Sequence, residues 1–230
     1  PHRNRTSSHQ ETRVSAQAAE AQPQAPAGPR RREACAPRAR RRFEKSAAAP
    51  DRYAFVYQDE CEFHLNPSLT KVWSLRGKQP RVPSAGQNKK VPVFGGLDAK
   101  TGRLHVCLTE RKRGADFIEF LRMLFHRYID RHIFLFVDNC SIHDSKLVRR
   151  FLADHEDRIT LIWNATYCPE LNLIERYWGY LKASATNNYL FQSVAALRQA
   201  IRDAVTRMNR SETTRMKLHV KFLQDLRVAA

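Results

Sequence analysis

The chain has 230 residues and a formal net charge of +17, with an isoelectric point near 10.2. This length suits one domain of ordinary size plus tails, and the charge favours an anionic polymer as partner, nucleic acid first, although a basic balance can also serve solubility alone. No apolar run approaches the roughly 20 residues of a membrane span, and the N-terminal residues lack the hydrophobic core of a signal peptide, so we expect a soluble intracellular protein.

Residues 1–50 differ from the rest of the chain. Their only large apolar side chains are Val14 and Phe43, and they are rich in Arg, Ala, Pro and Gln. Such a segment cannot bury enough surface to order itself, so we predict a disordered basic segment at 1–50 and one domain at 51–230. The arginine clusters at 30–32 and 38–42 either contact phosphates or form a solvated tail. Residues 51–230 keep +10 of the charge, so the predicted domain is itself basic.

The first predicted elements are strands. The run 53–59 is apolar and aromatic and ends on an acid, and further strands are predicted near 71–75, 91–97 and 104–109. Gly and Pro residues separate these runs, which indicates an antiparallel meander. We place the first domain element at Tyr53.

Helices and strands then alternate. Apolar residues recur at helical spacing over 115–131, and the unbroken apolar run 133–137 predicts a strand covered on both faces. A helix near 145–154, a strand at 159–163 and a covering helix from Val194 to Met208 follow. This order predicts an α/β domain with a mixed central sheet flanked by helices.

The five cysteines are widely spaced and odd in number, and none forms a CxxC pair. This pattern indicates neither a disulfide framework nor a zinc site, and we interpret these residues as reduced intracellular thiols.

One carboxylate lies on the apolar stripe of a predicted helix that begins near Leu171. At 100° per residue, Ile174 and Trp178 fall within about 60° of Leu171, and Glu175 falls at about 40°. We therefore expect Glu175 on the buried face, where it needs either a cationic partner, such as Lys182, or a bound metal.

Two more acids follow apolar strands. Asp59 and Asp138 each end such a run, and ligand sites of open α/β sheets gather at the carboxyl ends of strands. With Glu175 they could form a three-carboxylate pocket for Mg²⁺ or Mn²⁺, the hard ions that suit phosphodiester chemistry. Taken singly, each Asp fits a turn or a helix cap equally well, and Glu175 fits an ion pair equally well.

These motifs resemble the catalytic domain of mariner-type DDE transposases, in their bacterial insertion-sequence branch, over about 53–201. The matching residues, in chain order, are Asp59, Glu60, Phe63, Leu65, Pro67, Trp73, Gly77, Pro80, Asp138, Asn139, His143, Pro169, Glu170, Leu171, Asn172, Ile174, Glu175, Trp178, Leu181 and Lys182. The resemblance implies a ribonuclease-H-like fold in which Asp59, Asp138 and Glu175 bind two Mg²⁺ or Mn²⁺ ions.

The resemblance also implies a reaction and partners. Metal-dependent cleavage at transposon ends is followed by attack of the freed 3′-hydroxyl on target DNA, with double-stranded DNA as partner and a homodimer assembling on it. A bacterial cytoplasmic protein at the nucleoid is implied as well. As an alternative, the chain is a truncated, non-catalytic DNA-binding remnant, because residues 1–50 show no helical apolar pattern for the end-recognition domain that the family normally carries.

Other motif residues have two interpretations each. Asn139 and His143 contact phosphate or orient Asp138, or else cap and pack the following turn. Lys182 contacts DNA or pairs with Glu175. We expect Trp73 and Trp178 in the core and do not choose Glu60 or Glu170 as metal ligands.

Overall fold

The computed structural model describes residues 51–76, 78, 81–84, 86–163, 174–215 and 217–218. The disorder predicted for residues 1–50 and the motif at 168–173 therefore lie outside the described residues. No helix among the described residues is long and apolar enough to cross a membrane.

The described residues contain five strands and four long helices. The strands are β1 Tyr53–His64, β2 Lys90–Asp98, β3 Leu104–Leu108, β4 His132–Val137 and β5 Ile159–Trp163. The helices are α1 Gly114–Arg127, α2 Lys146–Ala153, α3 Ile174–Ala185 and α4 Val194–Arg210.

All five strands form one mixed sheet in the order β3-β2-β1-β4-β5. The β1–β2 and β2–β3 pairs are antiparallel, whereas the β1–β4 and β4–β5 pairs are parallel. The predicted α/β class with a mixed central sheet is confirmed. The strand predicted at 71–75 is wrong, because these residues form no strand, and the meander has three strands.

Local capping explains several helix boundaries. The Ser145 side chain accepts a hydrogen bond from the Val148 N–H at the start of α2, and the Ser193 side chain caps α4 in the same way. Helix α1 begins where the Asp116 carboxylate accepts from the Arg113 N–H, and it ends at Arg127, before the predicted residue 131. Tyr128 leaves helical geometry there and donates to the Asp98 carboxylate at 2.8 Å.

The helices cover both faces of the sheet. One apolar cluster joins the strands to α1 and α2, and it includes Phe94, Phe117, Phe120 and Leu135. The opposite cluster joins them to α3 and α4, and it includes Phe63, Trp178, Leu181, Leu197 and Ile201. Because side chains alternate along a strand, successive residues of β1 point to opposite helix layers.

Candidate functional site

Asp59 lies within β1 and does not end it, which corrects the predicted strand end. Asp59 pairs with Gly95 of β2, and the β1–β2 ladder continues to His64. On its other side β1 pairs with β4 in parallel register as far as Tyr57 and Phe136. Continuing that register by two residues sets Asp59 level with Asp138, the residue that follows β4. The pairing of β1 with β4 has ended at this point.

Asp59 is an unusual carboxylate. Its pKa is raised to about 6, chiefly by burial and also by the neighbouring Glu60 and Asp138 carboxylates. Hydrogen bonds from the Glu60 backbone N–H and the Trp178 side chain oppose this shift. Trp178 Nε1 donates to Asp59 Oδ2 at 3.0 Å. The carboxylate is thus held in place by helix α3.

A glycine makes the Trp178 contact possible. Gly95 lies opposite Asp59 on β2, and a Cβ atom there would collide with the six-membered ring of the Trp178 indole. Because Gly95 has no Cβ atom, the indole can approach the sheet closely enough for Nε1 to reach Asp59. Trp178 itself is 5% exposed, which confirms the prediction that it belongs to the core.

Glu60 points to the opposite face and belongs to a second cluster. His143 Nε2 lies 3.3 Å from Glu60 Oε1 and 3.3 Å from Asp138 Oδ1. The imidazole is fully buried and packs on the Phe117 ring, with 4.4 Å between the ring centroids. Nε2 thus lies between two carboxylate oxygens, where it can serve either as a donor to them or as a metal ligand beside them. His143 therefore joins the two carboxylates, beyond any role in its own turn.

Asp138 and Glu60 differ in their titration. The pKa of Asp138 is lowered, chiefly by the hydrogen bond to His143 and also by the Cys140 N–H, against the effect of burial. The pKa of Glu60 is raised by burial, while His143 and Gln58 oppose that shift. Glu60, Asp138 and His143 each offer a ligand atom, and these atoms lie within 4.8 Å of one another. The sequence analysis did not identify this grouping, although Glu60 directly follows the predicted ligand Asp59 in the chain.

Glu175 is exposed, so its predicted burial is wrong. It lies in the first turn of α3, where the buried residues are Ile174, Tyr177 and Trp178. Glu175 sits at the border of the apolar stripe, one turn before the tryptophan that binds Asp59. The exposed Glu175 side chain lines a cleft together with Trp178 and Lys182.

That cleft runs between the second half of β1 and helix α3. Its lining consists of Glu60, Cys61, Glu62, His64, Glu175, Trp178, Gly179 and Lys182. Lys182 lines the same cleft as Glu175, in agreement with the prediction that both lie on one face of the helix. Burial raises the pKa of the Cys61 thiol, and Lys182 opposes that shift. Lys112 approaches from the β3–α1 loop, with Nζ 3.1 Å from Glu62 Oε1. Lysine side chains thus lie beside Glu62 and in the cleft that Glu175 lines.

Two further motif residues lie at the surface. Trp73 is 104% exposed, so its predicted place in the core is wrong. Asn139 is exposed next to Asp138, and both of its roles stay predictions.

The site lies within residues 54–198, which match the family described as DDE superfamily endonuclease. The chain belongs to this family. The "Insertion element IS630 uncharacterized 39 kDa protein" of Shigella sonnei is 35% identical over 147 residues, which make up 64% of this chain and 43% of that relative. The chain therefore spans less than half the length of this relative. The expected membership in the mariner and insertion-sequence group of DDE transposases is confirmed.

Solved structures of this DDE group share the fold. The catalytic domain of Mos1 mariner transposase gives a TM-score of 0.53 at 17% identity, covering 85% of this chain and 88% of that one. The Mos1 transposase paired-end complex with left transposon end gives 0.55 at 16% identity, covering 91% and 64%. The predicted ribonuclease-H-like fold is confirmed.

Proposed function

We propose that this DDE domain is the catalytic core of a DNA transposase, which cleaves phosphodiester bonds at transposon ends and joins the freed 3′-hydroxyl to target DNA. The observation that carries the proposal is that Asp59 and Asp138 each lie two residues beyond the last β1–β4 pair, close enough for Asp138 to raise the pKa of Asp59, which reaches about 6. A carboxylate with such a pKa, next to another carboxylate, gains most from a divalent cation.

The donor set fits Mg²⁺ or Mn²⁺. Both ions prefer carboxylate oxygens and complete their shells with water and substrate phosphate. Asp59, Asp138 and Glu175 are the proposed ligands, and two ions are proposed for the pair of reaction steps. Solved Mos1 mariner complexes contain Mn in one case and Mg in another. When bound, the ions supply positive charge to the attacking and leaving oxygens of an in-line displacement at phosphorus.

Asp59 is a better candidate ligand than its neighbour Glu60. The main influences on the Asp59 pKa are burial, two hydrogen bonds and two other carboxylates. Glu60 by contrast has cationic or donor groups nearby in His143, Gln58 and Lys112. The charge of Glu60 is thus partly compensated by His143 and Lys112, whereas no cation is among the main influences on Asp59.

The remaining residues orient the reaction. Trp178 fixes one oxygen of Asp59 by its hydrogen bond, and His143 fixes Oδ1 of Asp138. Groups that bind a ligand carboxylate on its other side orient that carboxylate toward the metal and raise metal affinity. Lys182 lies in the same cleft as Glu175, where its ammonium group can contact a DNA phosphate. Double-stranded DNA is the proposed partner, in keeping with the basic domain, and a homodimer on two DNA ends is proposed with it.

Nicking and strand-joining assays with matched element ends test this function. We expect products only with Mg²⁺ or Mn²⁺, none with a chelator, and none from Asp138→Ala. Activity that is equal in Asp138→Ala and the parent would show that another site or a contaminant cuts the DNA. The non-catalytic remnant predicts salt-sensitive DNA binding without any cleavage.

Metal binding should depend on pH through Asp59. Because its pKa is raised to about 6, Asp59 is protonated below that pH, and a metal must displace the proton. We expect affinity to fall by about tenfold per unit as pH drops below about 6, and to level off above it. Calorimetry in two buffers of different ionisation enthalpy measures the proton release. An affinity that is unchanged between pH 5 and 7 would contradict the role of Asp59.

His143 should act on metal affinity. His143→Leu removes the donor between Glu60 and Asp138, and we expect metal affinity or activity to fall by about 10–100-fold. His143→Gln keeps a side-chain N–H of similar reach and should recover much of that loss. Metal titration monitored by calorimetry, with thermal unfolding as the control for packing, separates the two variants. If His143→Leu and His143→Gln bind the metal equally well, His143 contributes only to packing.

A further inference from the structure

His143 is a fully buried imidazole, and neither of its ring nitrogens has a well-aligned hydrogen-bond partner among the described residues. Nε2 lies 3.3 Å from Glu60 Oε1 and 3.3 Å from Asp138 Oδ1. Both distances are long for an N–H···O hydrogen bond, which usually measures about 2.7–3.2 Å. Buried polar groups in native proteins nearly always have a partner. A metal ion held between the imidazole and the carboxylates would supply one for Nε2.

The 3.3 Å spacing matches neighbouring ligands of a tetrahedral ion. Zinc is bound at about 2.0–2.1 Å by an imidazole nitrogen and at about 2.0–2.2 Å by a carboxylate oxygen. At the tetrahedral angle, two such atoms lie about 3.3–3.5 Å apart, whereas neighbouring oxygens of octahedral Mg²⁺ lie about 2.8–3.0 Å apart. One ligand atom from each of Glu60, Asp138 and His143 lies within 4.8 Å of the other two. The geometry therefore favours a four-coordinate ion.

The donor set also differs from that of the proposed site at Asp59, Asp138 and Glu175. That site offers oxygen alone, which suits Mg²⁺ or Mn²⁺, whereas an imidazole nitrogen suits zinc and similar transition metals. Two carboxylates beside a neutral imidazole carry two negative charges, which one divalent cation balances. Three protein ligands leave the fourth position of a tetrahedral ion to water.

Hydrogen bonds from other residues hold both carboxylates in place. Gln58 Nε2 donates to Glu60 Oε1 at 3.1 Å, and the Cys140 backbone N–H donates to Asp138 Oδ1 at 3.0 Å. Metal ligands typically have such outer partners, which orient the ligand oxygen. The Asp138 side chain is 55% exposed, so an ion can enter from solvent although His143 is buried.

We propose that Glu60, Asp138 and His143 form a second, tetrahedral site for Zn²⁺ and related transition-metal ions, and that its occupation inhibits the Mg²⁺-dependent reaction. Asp138 belongs to both sites, so a Zn²⁺ ion bound to Oδ1 takes that oxygen from the catalytic ion. Its positive charge next to Asp59 and Asp138 also repels another cation. Binding of Zn²⁺ is independent of the proposed DNA-cutting function, whereas the inhibition rests on that function.

Metal binding is tested on the full chain without DNA. Co²⁺ is the first probe, because its visible absorption distinguishes four-coordinate from six-coordinate sites, and Zn²⁺ should displace it. We expect a four-coordinate spectrum from the parent. His143→Leu and Glu60→Gln should each lower the affinity for Co²⁺ and Zn²⁺ by about 100-fold or more, since even the outer partners of a ligand contribute about 10–100-fold. Calorimetry measures the affinities, and thermal unfolding checks that both variants are folded.

Two further variants are matched controls. Asp59→Asn changes the carboxylate on the other face of β1 and should keep the Co²⁺ spectrum of the parent. His126→Leu removes an exposed imidazole on α1 and should bind Zn²⁺ as the parent does. A six-coordinate spectrum from the parent, or equal Zn²⁺ affinities in the parent, His143→Leu and Glu60→Gln, would overturn the proposal. A loss in Asp59→Asn as large as that in His143→Leu would also overturn it, because zinc would then occupy the oxygen site.

Inhibition is tested by DNA nicking at fixed Mg²⁺ with increasing Zn²⁺. We expect cleavage by the parent to fall as Zn²⁺ fills the second site. Glu60→Gln, compared with its own rate without Zn²⁺, should need at least about tenfold more Zn²⁺ for half inhibition. Equal half-inhibitory concentrations in the parent and Glu60→Gln would refute the inhibitory role.

The zinc site and the catalytic function fail separately. A chain that binds Zn²⁺ through Glu60 and His143 but never cleaves DNA with Mg²⁺ would refute the catalytic function and leave the zinc site standing. A chain that cleaves DNA, while His143→Leu and Glu60→Gln bind Zn²⁺ as the parent does, would refute the zinc site alone.

Discussion

Asp59→Asn is expected to lower metal-dependent DNA cleavage by about a thousandfold or more, whereas Glu60→Gln should cost about tenfold. The raised pKa of Asp59 shows that its charged form lacks a cation nearby, which a bound metal would supply. The asparagine amide is neutral and a weaker metal ligand than the carboxylate. Glu60 is bound by His143 and Gln58, so its neutral analogue keeps much of the hydrogen bonding. The two residues are neighbours on opposite faces of β1, which makes them matched probes. Initial rates of nicking at saturating metal measure the difference.

Two controls accompany this pair. Asp154→Asn changes an exposed acid at the end of α2, away from the site, and should leave cleavage unchanged. DNA affinity in a chelator should remain near the parent value in all three variants. If Glu60→Gln were inactive and Asp59→Asn active, the metal would be held by Glu60, Asp138 and His143, and the proposed triad would be wrong.

Gly95→Ala is expected to destabilise the domain by about 1–3 kcal/mol and to lower cleavage with it. The new methyl group would collide with the Trp178 ring and contact the Ile174 side chain, so helix α3 must shift away from the sheet. The shift stretches the hydrogen bond from Trp178 to Asp59 and moves Glu175 with it. Thermal unfolding should show a fall in Tm of about 2–4 °C per kcal/mol.

The same substitution at Gly179 is the control. Gly179 lies in α3, and an added Cβ meets nothing within 4 Å. Gly179→Ala should therefore stabilise the helix by about 0.5–1 kcal/mol, measured by the same thermal unfolding. If Gly95→Ala lowers the free energy of unfolding and Gly179→Ala raises it, the destabilisation comes from the contact with Trp178. A Gly95→Ala variant as stable as the parent would contradict it.

Local pattern predicted most elements because their faces are clearly apolar or polar. The run 159–163 is a strand with the predicted bounds, and the helix predicted near 145–154 is α2, which Ser145 caps. The prediction of a strand at 71–75 was wrong because apolar residues also alternate in exposed segments. A strand forms only where the backbone pairs with a neighbouring strand. Trp73 misled for the same reason, since its size predicts burial but not which surface covers it.

The identity of the acids and their order came from the sequence alone, as did the basic charge and the resemblance to DDE transposases. Tertiary structure decided which carboxylates meet. The parallel register of β1 and β4, extended by two residues, sets Asp59 level with Asp138. The two-residue period of a strand turns Glu60 to the opposite face, where His143 lies between Glu60 and Asp138. Helix α3 left Glu175 at the exposed border of its stripe, because Ile174, Tyr177 and Trp178 fill the contact with the sheet. Residue type can be read along a chain, but strand register and helix rotation are set by packing between distant segments.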